Sequence, residues 1–200
     1  MFQKPLTILF KYNKIDIVSR GCIIMYKKLK IVRVDSKYCN YLRTFDNKVM
    51  YNAGTKKLRP FIGILFKVEG CEYFAPLSSP KPKHMLLKNT LDLIKINSGK
   101  YGVVNLNNMI PVESCNYVEF DLNKTPKNKT ERARIEILKN QLRWLTMNKK
   151  QLNHKSKLLY DLYKNRKLPI NVVDRCCNFL LLEEKCKTYN NKKKKQNLEI

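Results

Sequence analysis

Apolar and polar positions divide the chain into two regimes. Up to about residue 122, apolar residues come in short runs or alternate with polar ones, the pattern of half-buried strands. Strands are predicted over 29–34, 61–68, 71–74, 91–96, 101–106, 109–112 and 117–122. The Glu69-Gly70 step turns the second run back on the third and makes them a hairpin. Ahead of it, Ser36 is placed to cap a short helix carrying Tyr38, Tyr41, Leu42 and Phe45, and 47–59 reads as a basic loop containing Gly54. Then the period changes. Ile135, Leu138, Leu142 and Leu145 recur at helical spacing, predicting a helix from Thr130 that ends before Lys149. A second helix holds Leu152, Leu158, Leu159 and Leu162 and stops before Pro169; a third covers 179–185. The predicted fold is α+β: a compact, strongly twisted antiparallel sheet, or partly open barrel, flanked by mostly C-terminal helices.

The hairpin runs into Ser78-Ser79-Pro80-Lys81-Pro82-Lys83-His84. Pro76, Pro80 and Pro82 have a fixed φ and no backbone donor, so they are expected to end the strand ladder and stiffen the loop. Adjacent hydroxyls donate directed hydrogen bonds and a nearby ammonium neutralises charge, so this corner can hold a phosphate. A solvated Ser/Pro/Lys turn is the plainer reading of the same residues, and charge shifts the balance. Lys and Arg number 41 against 16 Asp and Glu, a net +25 on 200 residues, which calls for a polyanionic partner. Charge alone does not choose among RNA, DNA and an anionic membrane surface. Eleven tyrosines and eight phenylalanines favour RNA, because unpaired bases stack on rings while lysines follow the backbone.

Composition excludes other classes. At 44% hydrophobic residues the chain can bury one sizeable core, and no apolar run reaches membrane-spanning length, so a soluble cytoplasmic protein without membrane contact is expected. Residues 1–24 lack the form of a signal peptide, and Met25 directly precedes the first strand; they are expected to be a dispensable extension or a mis-called start. The single domain is expected over 25–187, with 188–200 a basic disordered tail. Seven scattered cysteines without a Cys-x-x-Cys pair form neither a disulfide framework nor a zinc site. His84 and His154 are far apart and the acidic residues do not cluster, so neither metal nor cofactor is expected.

Four separated stretches carry a resemblance: Ser36-Lys37-Tyr38 with Tyr41-Leu42 and Phe45-Asp46; Phe61-Ile62-Gly63-Ile64 through Ala75-Pro76-Leu77-Ser78-Ser79-Pro80-Lys81; Gly102-Val103-Val104-Asn105-Leu106 with Met109-Ile110-Pro111; and Cys177-Asn178-Phe179 with Leu181-Leu182-Glu183-Glu184-Lys185. In order and spacing the chain resembles the ToxN/AbiQ toxins of bacterial type III toxin-antitoxin systems. That resemblance implies a Kid/MazF-like sheet and a metal-independent endoribonuclease cutting short, often adenine-rich sequences. It further implies inhibition by a repeated pseudoknot antitoxin RNA that the toxin itself processes, closed toxin-RNA rings, cellular and phage RNA as substrates, and a role in abortive infection. By position, Ser78 and Ser79 match the hydroxyl pair, Lys81 the active-site lysine and Tyr38 a tyrosine of the active groove. Arg59 stands where the family has a lysine, and Tyr51 is the nearest equivalent of a further family tyrosine.

Metal-free RNA cleavage needs the 2′-hydroxyl to attack its own phosphate, giving a 2′,3′-cyclic phosphate and a 5′-hydroxyl. Lys81 and Arg59 are expected to hold the phosphorane charge and Ser78 or Ser79 a nonbridging oxygen, with a lysine or His84 moving protons. Lys83, His84, Lys56, Lys57 and Lys88 are the expected RNA contacts. Two competitors stay open: a non-catalytic basic RNA-binding module of ribosomal type and a DNA-binding regulator using the helices after Thr130.

Overall fold

The computed structural model describes residues 28–51 and 59–196, the side chains of 192–196 excepted. Its elements run β1 (Lys30–Val34), α1 (Ser36–Arg43), β2 (Phe61–Gly63), β3 (Lys67–Val68), β4 (Cys71–Ser78), α2 (Pro82–Leu86), β5 (Leu93–Lys95), β6 (Val103–Asn105), β7 (Ile110–Val112), β8 (Tyr117–Glu119), α3 (Lys129–Met147), α4 (Lys149–Lys164), α5 (Ile170–Val173) and α6 (Phe179–Gln196). The architecture is the expected α+β one. Eight antiparallel strands form a sheet ordered β5-β6-β4-β2-β1-β8, with β3 and β7 also pairing with β4, and the sheet does not close.

The centre of this sheet is β4. Along its length it pairs with β3 and then β2, and with β7 and then β6. The turn entering it suits a tight hairpin: Glu69 and Gly70 both take left-handed backbone, at φ 45° and 87°. Besides being paired at both edges, β4 is covered on both faces: Cys71 through Leu77 are all buried, without the alternation of a sheet that has one face in water. One expectation fails here. Pro76 was to end the ladder, yet β4 continues through it to Ser78. It is tolerated because Leu77 makes the adjacent bond to Pro60 O at 2.8 Å, while Pro76 itself lies between the residues that pair with β7 and with β6.

Two helix ends differ from the sequence pattern. Asp35 rather than Ser36 caps α1, its carboxylate accepting from Lys37 N at 2.7 Å, because Asp35 is itself pinned to Asn116 O at 2.8 Å. At the other end of the chain α6 continues to Gln196 and takes up part of the segment expected as tail. Asn190 is buried there, and the Tyr189 ring packs on Tyr38 and Tyr41 at about 5 Å.

The core lies where α1, α4 and α6 meet the sheet. Tyr73 of β4 stacks on Phe66 at 4.6 Å and meets the edges of Tyr160 and Phe179, and its hydroxyl donates to Glu183 at 2.6 Å. Each such fully buried ring contributes about 2 kcal/mol from its apolar area. The α3 helix begins at an Asn128 cap, whose Oδ1 accepts from Glu131 N at 2.8 Å, and runs across the end of β4.

Candidate active site

A corner forms where β4 runs out. Gly102 has φ 94°, and a Cβ there would lie 2.0 Å from Ser78 O; at Gly99, φ 93°, it would lie 2.6 Å from His84 O. Only glycine lets the β5–β6 turn lie flush against this loop. On the other side α3 supplies Gln141, whose Nε2 donates to Tyr101 O at 2.6 Å and Ser78 O at 3.3 Å. Ser78 Oγ accepts from Asn105 Nδ2 at 3.0 Å, leaving its own proton to donate. Beyond Ser79 and Pro80 the chain does not remain a loop. Pro82 opens the short helix α2, where its fixed φ and missing donor suit a first helical position.

Ser78, Ser79, Lys81 and Arg59 line one groove of about 510 Å³ with Thr130, Arg134 and Gln141 of α3. Ser79 and Lys81 are exposed, whereas Ser78 and Arg59 are half-buried. Arg59 is held by Nε donating to Tyr51 O at 3.3 Å. Burial draws the Arg59 and Arg134 guanidinium pKa values down. They start so high that both keep their charge at neutral pH. The groove thus presents three cations and a hydroxyl pair on backbone braced from both sides, an arrangement that fits a phosphodiester.

Not every expected residue joins it. Tyr38 is 0% exposed, and its hydroxyl donates to Pro111 O at 2.7 Å. Burial above all pushes its pKa well up. It belongs to the core between α1 and β7 and does not line the groove. His84 turns inward at 4% exposure, so it is not the surface contact expected of it. Burial first, then Lys81 and Lys83, lower its pKa and keep the imidazole neutral at pH 7. Lys83 and Lys88 are exposed in and beside α2. Tyr51 meets Arg59 through its carbonyl, and its ring lies 5.7 Å from the Arg43 guanidinium. Lys56 and Lys57 lie outside the described residues.

Sequence reasoning missed the α3 wall. Gln141 joins the core-facing stripe: Ile135, Leu138, Gln141 and Leu145 are the buried residues of this helix, and Leu142 packs half-buried against the core beside them. A polar residue one step from the apolar stripe was the available signal, and Thr130 and Arg134 precede it along α3.

The fold and groove together define a basic α+β protein whose cationic, hydroxyl-bearing groove fits a phosphate group, and comparison with known proteins narrows this class. The family model described as Toxin ToxN, type III toxin-antitoxin system, matches residues 30–187. The chain belongs to the ToxN family. It is 32% identical over 169 residues to Endoribonuclease ToxN of Pectobacterium atrosepticum, covering 80% of this chain and 94% of that protein. It is 29% identical over 164 residues to Endoribonuclease ToxN of Bacillus thuringiensis subsp. kurstaki, covering 80% and 84%. Among solved structures, a chain from work on a processed non-coding RNA that regulates a bacterial antiviral system superposes with TM-score 0.66 at 32% identity, covering 79% of this chain and 97% of that one. Another, from work on selective toxin inhibition by a non-coding RNA pseudoknot, superposes with TM-score 0.69 at 28% identity, covering 82% and 98%.

Proposed function

We propose that this protein is the toxin of a type III toxin-antitoxin system, a metal-independent endoribonuclease acting in the cytoplasm. The observation that carries the reading is the convergence of Arg59, Ser78, Ser79 and Lys81 on one groove beneath α3. Relatives named Endoribonuclease ToxN support it. So does the absence, among the described residues, of any helix long and apolar enough to cross a membrane. The DNA-regulator alternative is less favoured, because α3 lends Thr130, Arg134 and Gln141 to the wall of the serine groove.

The groove residues divide the work by their chemistry. Arg59, Lys81 and Arg134 surround the scissile phosphate with positive charge, and this attraction grows as the phosphorane gains negative charge. Ser79, and Ser78 with its proton turned away from Asn105, fix nonbridging oxygens so that O2′ lies in line with the leaving O5′. The O2′–P bond forms, the P–O5′ bond breaks, and the 2′ proton passes to solvent in the open groove. The Lys81 ammonium donates to the leaving 5′-oxygen, a far stronger base than its amine. The products are a 2′,3′-cyclic phosphate and a 5′-hydroxyl. The partner that silences the enzyme is its own repeat pseudoknot RNA, which it cuts from a precursor and holds in a closed toxin-RNA ring, and its release during phage infection frees the toxin on cellular and phage RNA.

Incubating purified protein with RNA in EDTA and analysing the ends tests this. Cuts bearing cyclic phosphate are expected, and Ser79→Ala and Lys81→Ala should each lower the rate at least a hundredfold, on the order of a lost oxyanion donor. Cuts that vanish on chelation, or 5′-phosphate ends, would refute the proposed chemistry.

A further inference from the structure

The groove does not end at α3. Thr130, Arg134 and Leu138 also line a second, larger hollow of about 720 Å³, together with Phe120, Arg33 and Lys127. Phe120 follows β8 and is fixed by its amide donating to Ile31 O at 2.9 Å. The half-buried Arg134 guanidinium lies 5.7 Å from the centre of the Phe120 ring. One cation therefore borders both hollows and backs an aromatic surface in the second.

Acidic residues also line this hollow, but each is engaged within the protein. Glu131 takes the Lys124 ammonium and accepts from Lys127 N at 2.7 Å. Asp121 accepts from Asn123 N at 2.9 Å, and Glu119 pairs with Lys30 at 3.0 Å. Four cations, Arg33, Lys124, Lys127 and Arg134, thus stand against three carboxylates, two of which already hold a lysine, so the hollow is positive on balance.

We propose that this second hollow is a subsite for a nucleotide flanking the scissile phosphate of single-stranded RNA. Its base lies against the Phe120–Arg134 pair, and Arg33 and Lys127 hold its phosphates. Rings and guanidinium planes stack on any base, and cations that follow the backbone complete such a site. The subsite rests on the reading of the first groove as the cleavage site. It adds that the chain passes the α3 wall, so that affinity depends on substrate length to one side of the cut.

Oligonucleotide trimming tests this. One cut is mapped in a long transcript, and RNAs centred on it are synthesised with successive single-nucleotide extensions on each side. For the wild type, kcat/KM should step up by about tenfold when extension on one side reaches the second hollow. The long-to-short ratio should fall to near unity in Phe120→Leu, which keeps the apolar packing and removes the ring. It should shrink in Arg33→Gln, a change at an exposed strand position that keeps the fold intact whatever happens to Phe120→Leu. The absence of a step on both sides, an undiminished step in a folded Phe120→Leu, or an undiminished step in Arg33→Gln would overturn the subsite. A wild-type protein that cuts no RNA of any length would instead count against the cleavage reading, a different and separable result.

Discussion

Replacing Gly102 by alanine tests whether backbone contact holds the serine corner in place. Two costs arise. A residue with a Cβ at φ 94° carries about 1 kcal/mol of steric strain from left-handed backbone. The new methyl would also lie 2.0 Å from Ser78 O and 3.0 Å from Ser79 C, and both are backbone atoms held in place, Ser78 by pairing with Val103 and by Gln141. Overpacking of that kind costs about 1–3 kcal/mol, so Gly102→Ala should lose about 2–4 kcal/mol in all. Gly70 supplies the control. Its φ is 87°, and nothing lies within 4 Å of its would-be Cβ, so Gly70→Ala should lose only the backbone part, about 1 kcal/mol. Urea unfolding measures both. RNA cleavage rates measured on fully folded protein then show whether the clash also moves the hydroxyls, since a shift of about 1 Å in a reacting group costs about a hundredfold. Equal stabilities and equal rates for the two variants would refute the argument that the β5–β6 turn braces the site.

Tyr38→Phe should cost about 1–3 kcal/mol in urea unfolding, because Pro111 O loses its buried donor, while cleavage per folded molecule stays at the wild-type rate; a rate loss with unchanged stability would return Tyr38 to the groove. His84 predicts a pH effect of definite sign. Its folded pKa lies below the unfolded value, so the unfolded chain binds the proton first. Stability is then complete above about pH 6.5 and falls below it by up to about 1.4 kcal/mol per pH unit until the folded pKa is passed. His84→Gln should flatten that acid limb in unfolding experiments at a series of pH values, and an unchanged slope would contradict a neutral buried imidazole.

Much of this architecture was legible because local signals and burial agree. The Glu69-Gly70 turn, the alternating strands and the change of period at α3 each follow from side-chain chemistry within a few residues. Ser78, Ser79 and Lys81 were legible for the same reason: they stand together in the chain, and the end of β4 keeps them together in space. Arg59 came from the resemblance, and the pairing of β2 with β4 explains its place. What could not be read depends on distant partners. Pro76 survives in a strand only because the chain on one side of it changes partner there. Tyr38 looks like a groove tyrosine until α6 brings Tyr189 over it. Gln141 reads as the edge of a helix stripe, and only the carbonyls of Ser78 and Tyr101 give a buried amide its reason to be there.

The serine pair stands at the end of the most fully enclosed strand of the sheet, wedged between a glycine turn and a helix. On the proposed reading such machinery arrives already assembled, its backbone held by Gly102 on one side and Gln141 on the other. In that reading restraint comes from outside, as a stopper in the channel, and activity returns in full once the stopper is drawn.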